Sequence, residues 1–242
     1  MLQIFLIIVI GVVFLAIERV QPGRPLPQSR GWHLRAILLN LAQLGMVFLA
    51  GATWNTWFQS WSILHIGGTL HPIAEGFFYW FVGTFVFYWW HRLRHQKGWW
   101  LVFHQIHHSP TRIEALTAFY KHPVEMIVNS ILISAIIFLG FGGSIAAAAW
   151  YNVFAVTGEF FYHANIRTPR WVGYFIQRPE HHSIHHERNV HRYNFGDITW
   201  WDRLFGTFKE ADRFADHCGF RSQREERLGP MLLLKDMDQD AT

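Results

Sequence analysis

FFYWFVGTFVFYWWHRLRH, residues 77 to 95, is the stretch on which the reading of this chain turns. Its first fourteen residues hold no Asp, Glu, Lys or Arg, and the Trp89-Trp90 pair that ends them suits the aromatic belt at a membrane–water boundary. His91 and His95 follow directly, four residues apart, so a continuing helix projects both imidazoles from one face, one turn from each other. An apolar helix that ends in two stacked metal-binding side chains predicts a membrane protein with a metal at its surface.

Composition agrees. Of 242 residues, 51% are hydrophobic, 17% aromatic and only 16% charged, too little charge to coat a soluble globule of this size. The net charge of +4 is modest and its basic residues are scattered, which argues against a nucleic-acid partner. Residues 2 to 17 are almost wholly apolar, with no basic stretch before them and no small-residue cleavage site after them, and read as a retained anchor helix. The loop from Glu18 to Arg35 carries four arginines and should be cytoplasmic, followed by a second spanning segment from about Ala36 to Phe58. Between Gln59 and Gly76 the only charged residue is Glu75, as expected on the far side, and the stretch from Phe77 leads back. Residues 127 to 157 are apolar but interrupted by Gly140, Gly142, Gly143 and Ser144, leaving halves of about thirteen residues. A helical hairpin dipping into the bilayer or two short tilted spans would both return the chain to the cytoplasm. The expected fold is an all-α integral membrane protein of about four apolar helical segments, two spanning plus a spanning helix and a hairpin, under a cytoplasmic helical cap. One domain covers 1–242, with a core at about 77–210 and a polar tail at 211–242.

Cys218 is the only cysteine, so this chain alone forms no disulfide and no multi-thiolate metal site. Histidine is the compositional outlier, with sixteen in the chain. His104, His107 and His108 (HQIHH) stand at spacings of three and four, and His182, His185 and His186 (HSIHH) repeat them beyond the apolar hairpin. Adjacent histidines on a helix splay by about 100°, so each trio can serve two ions. Imidazole suits zinc, copper, iron and nickel alike. Eight imidazoles exceed what one zinc takes and fit two first-row ions with room for oxygen between them. His33, His65, His71 and His217 have no partner at helical spacing and are expected to play no metal role.

At these residues the sequence resembles the fatty acid hydroxylase and sterol desaturase superfamily of membrane di-iron enzymes. The resemblance rests on YWWHRLRH from Tyr88, FHQIHHSP from Phe103, YKHPVE from Tyr120, FYHANI from Phe161, RPEHHSIHH from Arg178, NFG at Asn194 and WDRLFGT at Trp201, in order over about 120 residues. It implies two irons, O2 as co-substrate, and His91, His95, His104, His107, His108, His182, His185 and His186 as ligands. It adds His163 as a further ligand position, and His122, in the HPxE segment, as a ligand or a support for one. Glu159 stands where some relatives carry a histidine. His181, His191, Glu114 and Glu125 are expected beside the ligands or on the surface, and Asn194, Trp201 and Asp202 to shape the cap.

The implied activity is O2-dependent hydroxylation or desaturation of a lipid, such as a sterol or fatty acyl chain, that enters from the bilayer. No GxGxxG or P-loop pattern is present. A separate ferredoxin- or cytochrome-type electron donor is therefore expected, docking on Arg92, Arg94, Lys97 and Arg112. A membrane zinc hydrolase is the competing enzyme class, but the chain lacks HExxH. A non-enzymatic metal-binding membrane protein is the competing non-enzyme. The short chain without a retrieval signal leans towards a bacterial inner membrane.

Overall fold

The computed structural model describes residues 2–221 and 223–238. The long helices are α1 (Leu2–Val20), α2 (Trp32–Ala52), continued after a break at Thr53 by the short α3 (Trp54–Gln59), and α4 (Pro72–Arg94). Two short helices, α5 (Lys97–Phe103) and α6 (Gln105–His108), lead into α7 (Pro123–Ser134), which a π-helical turn at Ala135–Gly140 prolongs, and then α8 (Ile145–His163). Three short helices complete the described chain: α9 (Pro179–His185), α10 (Thr199–Leu204) and α11 (Leu228–Leu232).

Among the described residues, three helical stretches are long and apolar enough to cross a membrane: Leu2–Val20, Trp32–Gln59 and Pro123–Gly140. Only 11% of the apolar window of the first is buried against protein, and its Phe5, Ile8 and Val12 face outward. A helix so apolar and so uncovered has lipid as its partner. The fold is that of a membrane protein. Pro72–Arg94, expected to span on its 77–90 core, is not among the three. It has the length, with 23 residues, but the Trp, Tyr, His and Arg that fill it lower its mean hydropathy. It nevertheless runs alongside the others, packed along α8, which in turn lies on α1, while α7 lies on α2.

The halves around Gly140–Ser144 are longer than the thirteen residues expected. The first runs from Pro123 to Gly140 and the second from Ile145 to His163, because helix continues through their polar ends. Pro at the first position after the His122 cap starts the one, and the Ser144 side chain, accepting from the Ala147 N–H at 3.1 Å, caps the other. The turn between them sits against the 60–71 loop, where Ile63 N–H donates to Leu139 O at 2.8 Å and Leu64 N–H to Gly140 O at 3.1 Å. Gly67 meets Gly142 so closely that any Cβ would collide with its carbonyl. That end is the opposite one from the histidines, since α4 runs the length of the bundle from His71 to His91 and α8 from the turn to His163.

The other end is a polar cap with its own core. Trp32, Ile106, Tyr120, Met126, Phe220, Met231 and Met237 form a buried cluster there. Residues 211 onward, expected as a polar tail, supply three of those seven and bury Ala211, Ala215 and Cys218 as well. Most charged positions of that segment lie outward between apolar ones, while Glu225 is buried and accepts from Thr111, so a composition reading missed its packing. Glu18, at the end of α1, is buried and accepts from the backbone of Ala115 at 2.9 Å and of Asn165 at 3.1 Å, pinning the cap to the bundle.

Candidate metal centre

Five elements converge beneath the cap. The last turn of α4 brings His91 and, at its C-cap, His95; the α5–α6 joint brings His104, His107 and His108; the end of α8 brings His163; α9 brings His182, His185 and His186. Among the described residues these imidazoles sort into two groups whose donor atoms lie within 4.8 Å of one another: His91, His95, His104, His108 and His185, and His107, His163, His182 and His186. In both HxxHH trios the first and last histidine, four residues apart, do not both join the group of the middle one. His104 and His108 share the five-ring group while His107 turns to the four-ring group; His182 and His186 share the four-ring group while His185 turns to the other. Helical splay accounts for the direction of that sorting, with His104 at the α5–α6 joint and His186 at the C-cap of α9 held at helix ends.

The hydrogen bonds fix where the lone pairs point. His91 Nδ1 lies 2.7 Å from Phe195 O, His185 Nδ1 2.8 Å from Tyr193 O, His163 Nδ1 2.8 Å from Glu159 O and His104 Nδ1 3.2 Å from Phe103 O. A carbonyl only accepts, so each of these Nδ1 atoms carries the proton and each Nε2 presents a bare lone pair. Yet His91 Nε2 faces His104 Nε2 at 2.9 Å. Two lone pairs at that distance repel unless a cation lies between them. In the other group His163 Nε2 stands 2.9 Å from His182 Nε2 and 3.3 Å from His107 Nε2, and His182 Nε2 stands 3.1 Å from His186 Nε2. Metal–imidazole bonds of roughly 2.1 Å put neighbouring ligand nitrogens about 3.0 to 3.4 Å apart in octahedral or tetrahedral geometry. The donor sets therefore fit one metal ion each.

Burial keeps these rings ready. It holds His107, His108, His182 and His186 well below the ordinary imidazole range, with neighbouring imidazoles adding to the effect. His185 is pushed down to about 3 by burial, against the opposing pull of its bond to Tyr193 O. Neutral imidazole is the form that binds metal.

A supporting layer orients the rings. Asp202 accepts from the N–H groups of Phe195 and Gly196, both at 2.8 Å, and so positions the carbonyl that receives His91. Trp201 donates to Thr84 Oγ1 at 2.9 Å, and the Asn194 amide holds His181 O and Lys209 O at 3.0 Å each. These three do shape the cap. Buried Glu125 pairs with Arg94 and lies 3.6 Å from His104 Nδ1. Glu114 is elsewhere, bonded to Trp32 and Arg112.

His122 joins neither group. Its Nδ1 accepts from Val124 N–H at 3.1 Å and its Nε2 lies 3.3 Å from Leu232 O, so both nitrogens are spent on capping α7 and tying down α11. His181 bonds Glu210 at 2.7 Å, outside both groups. His191 packs over the five-ring group, its ring centroid 5.1 Å from that of His108 and 4.9 Å from Trp100. Glu159 is bound by Lys121 at 2.9 Å and approaches His163 Nδ1 at 3.6 Å.

A cavity of about 70 Å³ opens beside the rings between α4 and α8. His91, His104, His107, His163 and His182 form one wall; Trp80, Phe87 and Ala155 form an apolar one. Lys121, Glu159, Tyr162 and Asp197 close it with polar groups, Tyr162 donating to Asp197 at 3.1 Å. Burial, then the Glu159 charge, raises the Asp197 carboxyl above its ordinary range. The sequence reading missed Lys121, Tyr162 and Asp197. A signal existed for one of them, since Tyr151, Ala155, Glu159 and Tyr162 fall on one face of α8 at helical spacing; Asp197 in an irregular loop had none.

Comparison with known proteins agrees with this geometry. The chain is 27% identical to the alkylglycerol monooxygenase of Danio rerio over 132 residues, 52% of this chain and 29% of the relative. It is 29% identical to sphinganine C4-monooxygenase 1 of Arabidopsis thaliana over 50% of this chain and 48% of the relative. It is also 29% identical to the very-long-chain aldehyde decarbonylase GL1-9 of Oryza sativa subsp. indica, over 48% of this chain and 47% of that protein. The chain thus spans less than half the length of the curated relatives named here. No solved structure matches it. The fatty acid hydroxylase family model matches residues 76–207, the segment that carries all nine converging histidines, and the chain belongs to that family.

Proposed function

We propose that the protein is a membrane di-iron oxidoreductase that uses O2 to hydroxylate or desaturate a lipid. The observation that carries the reading is the facing of two bare imidazole lone pairs, His91 Nε2 and His104 Nε2 at 2.9 Å, within two adjoining groups of five rings and four on the wall of a cavity between α4 and α8. His91, His95, His104, His108 and His185 would hold one iron; His107, His163, His182 and His186 the other. When bound, the irons supply the oxygen activation that attack on an unactivated C–H bond needs, chemistry no side chain offers.

The chain's own residues do the rest. Phe195, Tyr193 and Glu159 carbonyls fix the imidazole tautomers, and Glu125 steadies His104. Trp80, Phe87 and Ala155 offer an acyl or sterol chain an apolar path and exclude water from the reacting carbon. Lys121 keeps Glu159 charged and fixed beside His163.

The arginines of the 18–35 loop lie at the cap end and the charge-poor 59–76 loop at the other, an asymmetry that favours a cytoplasmic cap and five helices traversing the bilayer. Electrons come from a separate ferredoxin- or cytochrome-type donor. The docking face expected for it needs revision: Arg94 and Arg112 are only 5% and 8% exposed and are paired with Glu125 and Glu114, leaving Arg92 and Lys97 of the four.

The test is oxygen uptake by iron-loaded, chemically reduced protein in detergent, with and without cellular lipid extract, followed by mass analysis of the lipids. Lipid-dependent uptake with a product heavier by one oxygen or lighter by two hydrogens supports the reading. Uptake indifferent to lipid, with no altered lipid, overturns it.

A further inference from the structure

Outside the metal centre, four arginines surround a second cavity of about 430 Å³: Arg24, Arg167, Arg188 and Arg213. Its one carboxylate, Asp216, is exposed and lies 3.6 Å from the equally exposed Arg213. Three of the guanidinium groups are anchored to the cavity wall through backbone acceptors. Arg24 donates to Ala215 O, Arg167 Nε to Gly23 O at 3.1 Å, and Arg188 Nε to Gly219 O at 2.9 Å. Each retains further N–H groups. Arg24 Nε is buried without a partner, although its guanidinium lies 5.1 Å from the centre of the Phe214 ring.

Three anchored guanidinium groups and the exposed Arg213, against one carboxylate among the described lining residues, repel one another, and a bound anion relieves that repulsion. Guanidinium suits phosphate, whose oxygens it meets in paired hydrogen bonds. The volume exceeds a bare phosphate and admits a substituted one. The cavity begins four residues beyond Val20, the end of a membrane-capable helix, which places it at headgroup level.

We propose that this cavity binds a phosphate-bearing anion, either the headgroup of an anionic phospholipid or free phosphate, with Arg24, Arg167, Arg188 and Arg213 as its ligands. The site lies outside the metal-lined cavity and does not depend on the proposed reaction, so it can fail while that reading stands.

Native mass spectrometry of the whole chain tests it, releasing the protein from micelles that contain phosphatidylglycerol and phosphatidylcholine in equal amounts. Wild type should retain one phosphatidylglycerol in preference to phosphatidylcholine, and the Arg167→Gln, Arg213→Gln double variant should hold it about tenfold more weakly, the lower end of what a single charge-assisted bond contributes, since both side chains are solvent-exposed. Both substituted residues are exposed, and matching circular dichroism checks the fold. If millimolar inorganic phosphate displaces the lipid and raises the wild-type melting temperature, the source is free phosphate; if it does neither while the lipid stays bound, the source is the membrane. Absence of any preference in wild type, with no effect of phosphate on melting, overturns the proposal without reference to the variant. So does equal retention by the double variant, including the case in which that variant slows reduction by an acidic ferredoxin, which would assign the arginines to a protein partner.

Discussion

The two histidine groups differ in completeness. The five-ring group is built from α4, the α5–α6 joint and α9, with His191 and Trp100 packed over it. The four-ring group has one imidazole fewer, and three of its four rings line the cavity, against two of five in the other. An ion in the four-ring group would have positions left for small molecules on the cavity side, whereas an ion in the five-ring group is nearly enclosed by protein. The same sequence pattern, HxxHH, feeds both, so the inequality comes from what α4 and α8 add: two histidines to one side, one to the other.

Acidification should act on both groups at once and have the largest effect. Burial holds the folded-state values low, about 3 for His185, while an unfolded histidine titrates near 6.5. Stability from these neutral rings is complete above about pH 6.5 and is lost as pH falls from there towards 3, because the unfolded chain takes up the protons. Metal competes for the same nitrogens, so bound metal should fall in that window. Metal content and unfolding midpoint that stay flat between about pH 7.5 and 4.5 would remove these imidazoles from the ligand set.

His182→Ala should come next. Its Nε2 touches both His163 and His186, so its loss should empty the four-ring group, halve the bound metal and lower lipid-dependent oxygen uptake by more than the 10–100-fold typical of outer-layer changes. Glu125→Gln, which loosens His104 and leaves Arg94 without a counter-charge, should weaken the other ion by about 10–100-fold, read by chelator competition. His95→Ala leaves four rings in that group, so the ion should stay at stoichiometric loading when iron is in excess, with an affinity loss of about the same 10–100-fold. If His95→Ala and His182→Ala empty the protein equally, the inequality between the groups is wrong. The smallest effect belongs to His122→Ala, which should leave metal content intact and cost about 1 kcal/mol of stability as a lost helix cap.

Much of this was legible because helical periodicity connects spacing to direction. HxxxH after an apolar run and the two HxxHH trios could be placed on helix faces and gathered at one end without coordinates. His122 could not: a histidine beside Pro and a ligand look alike in sequence, and only the Val124 and Leu232 contacts show that both nitrogens are occupied. The packing of residues 211–238 was hidden because Met231, Met237 and Phe220 are spread among charges with no repeating period. Arg94 and Arg112 read as surface charge because the glutamates that bury them come from distant or irregular positions.

The most direct test of two unequal histidine groups, each holding one ion, is the number of metal ions per chain. It would be measured by elemental mass spectrometry on protein purified without chelators and reconstituted with iron. Two ions in wild type, two in His95→Ala and one in His182→Ala is the expected result. One ion or none in reconstituted wild type would contradict it.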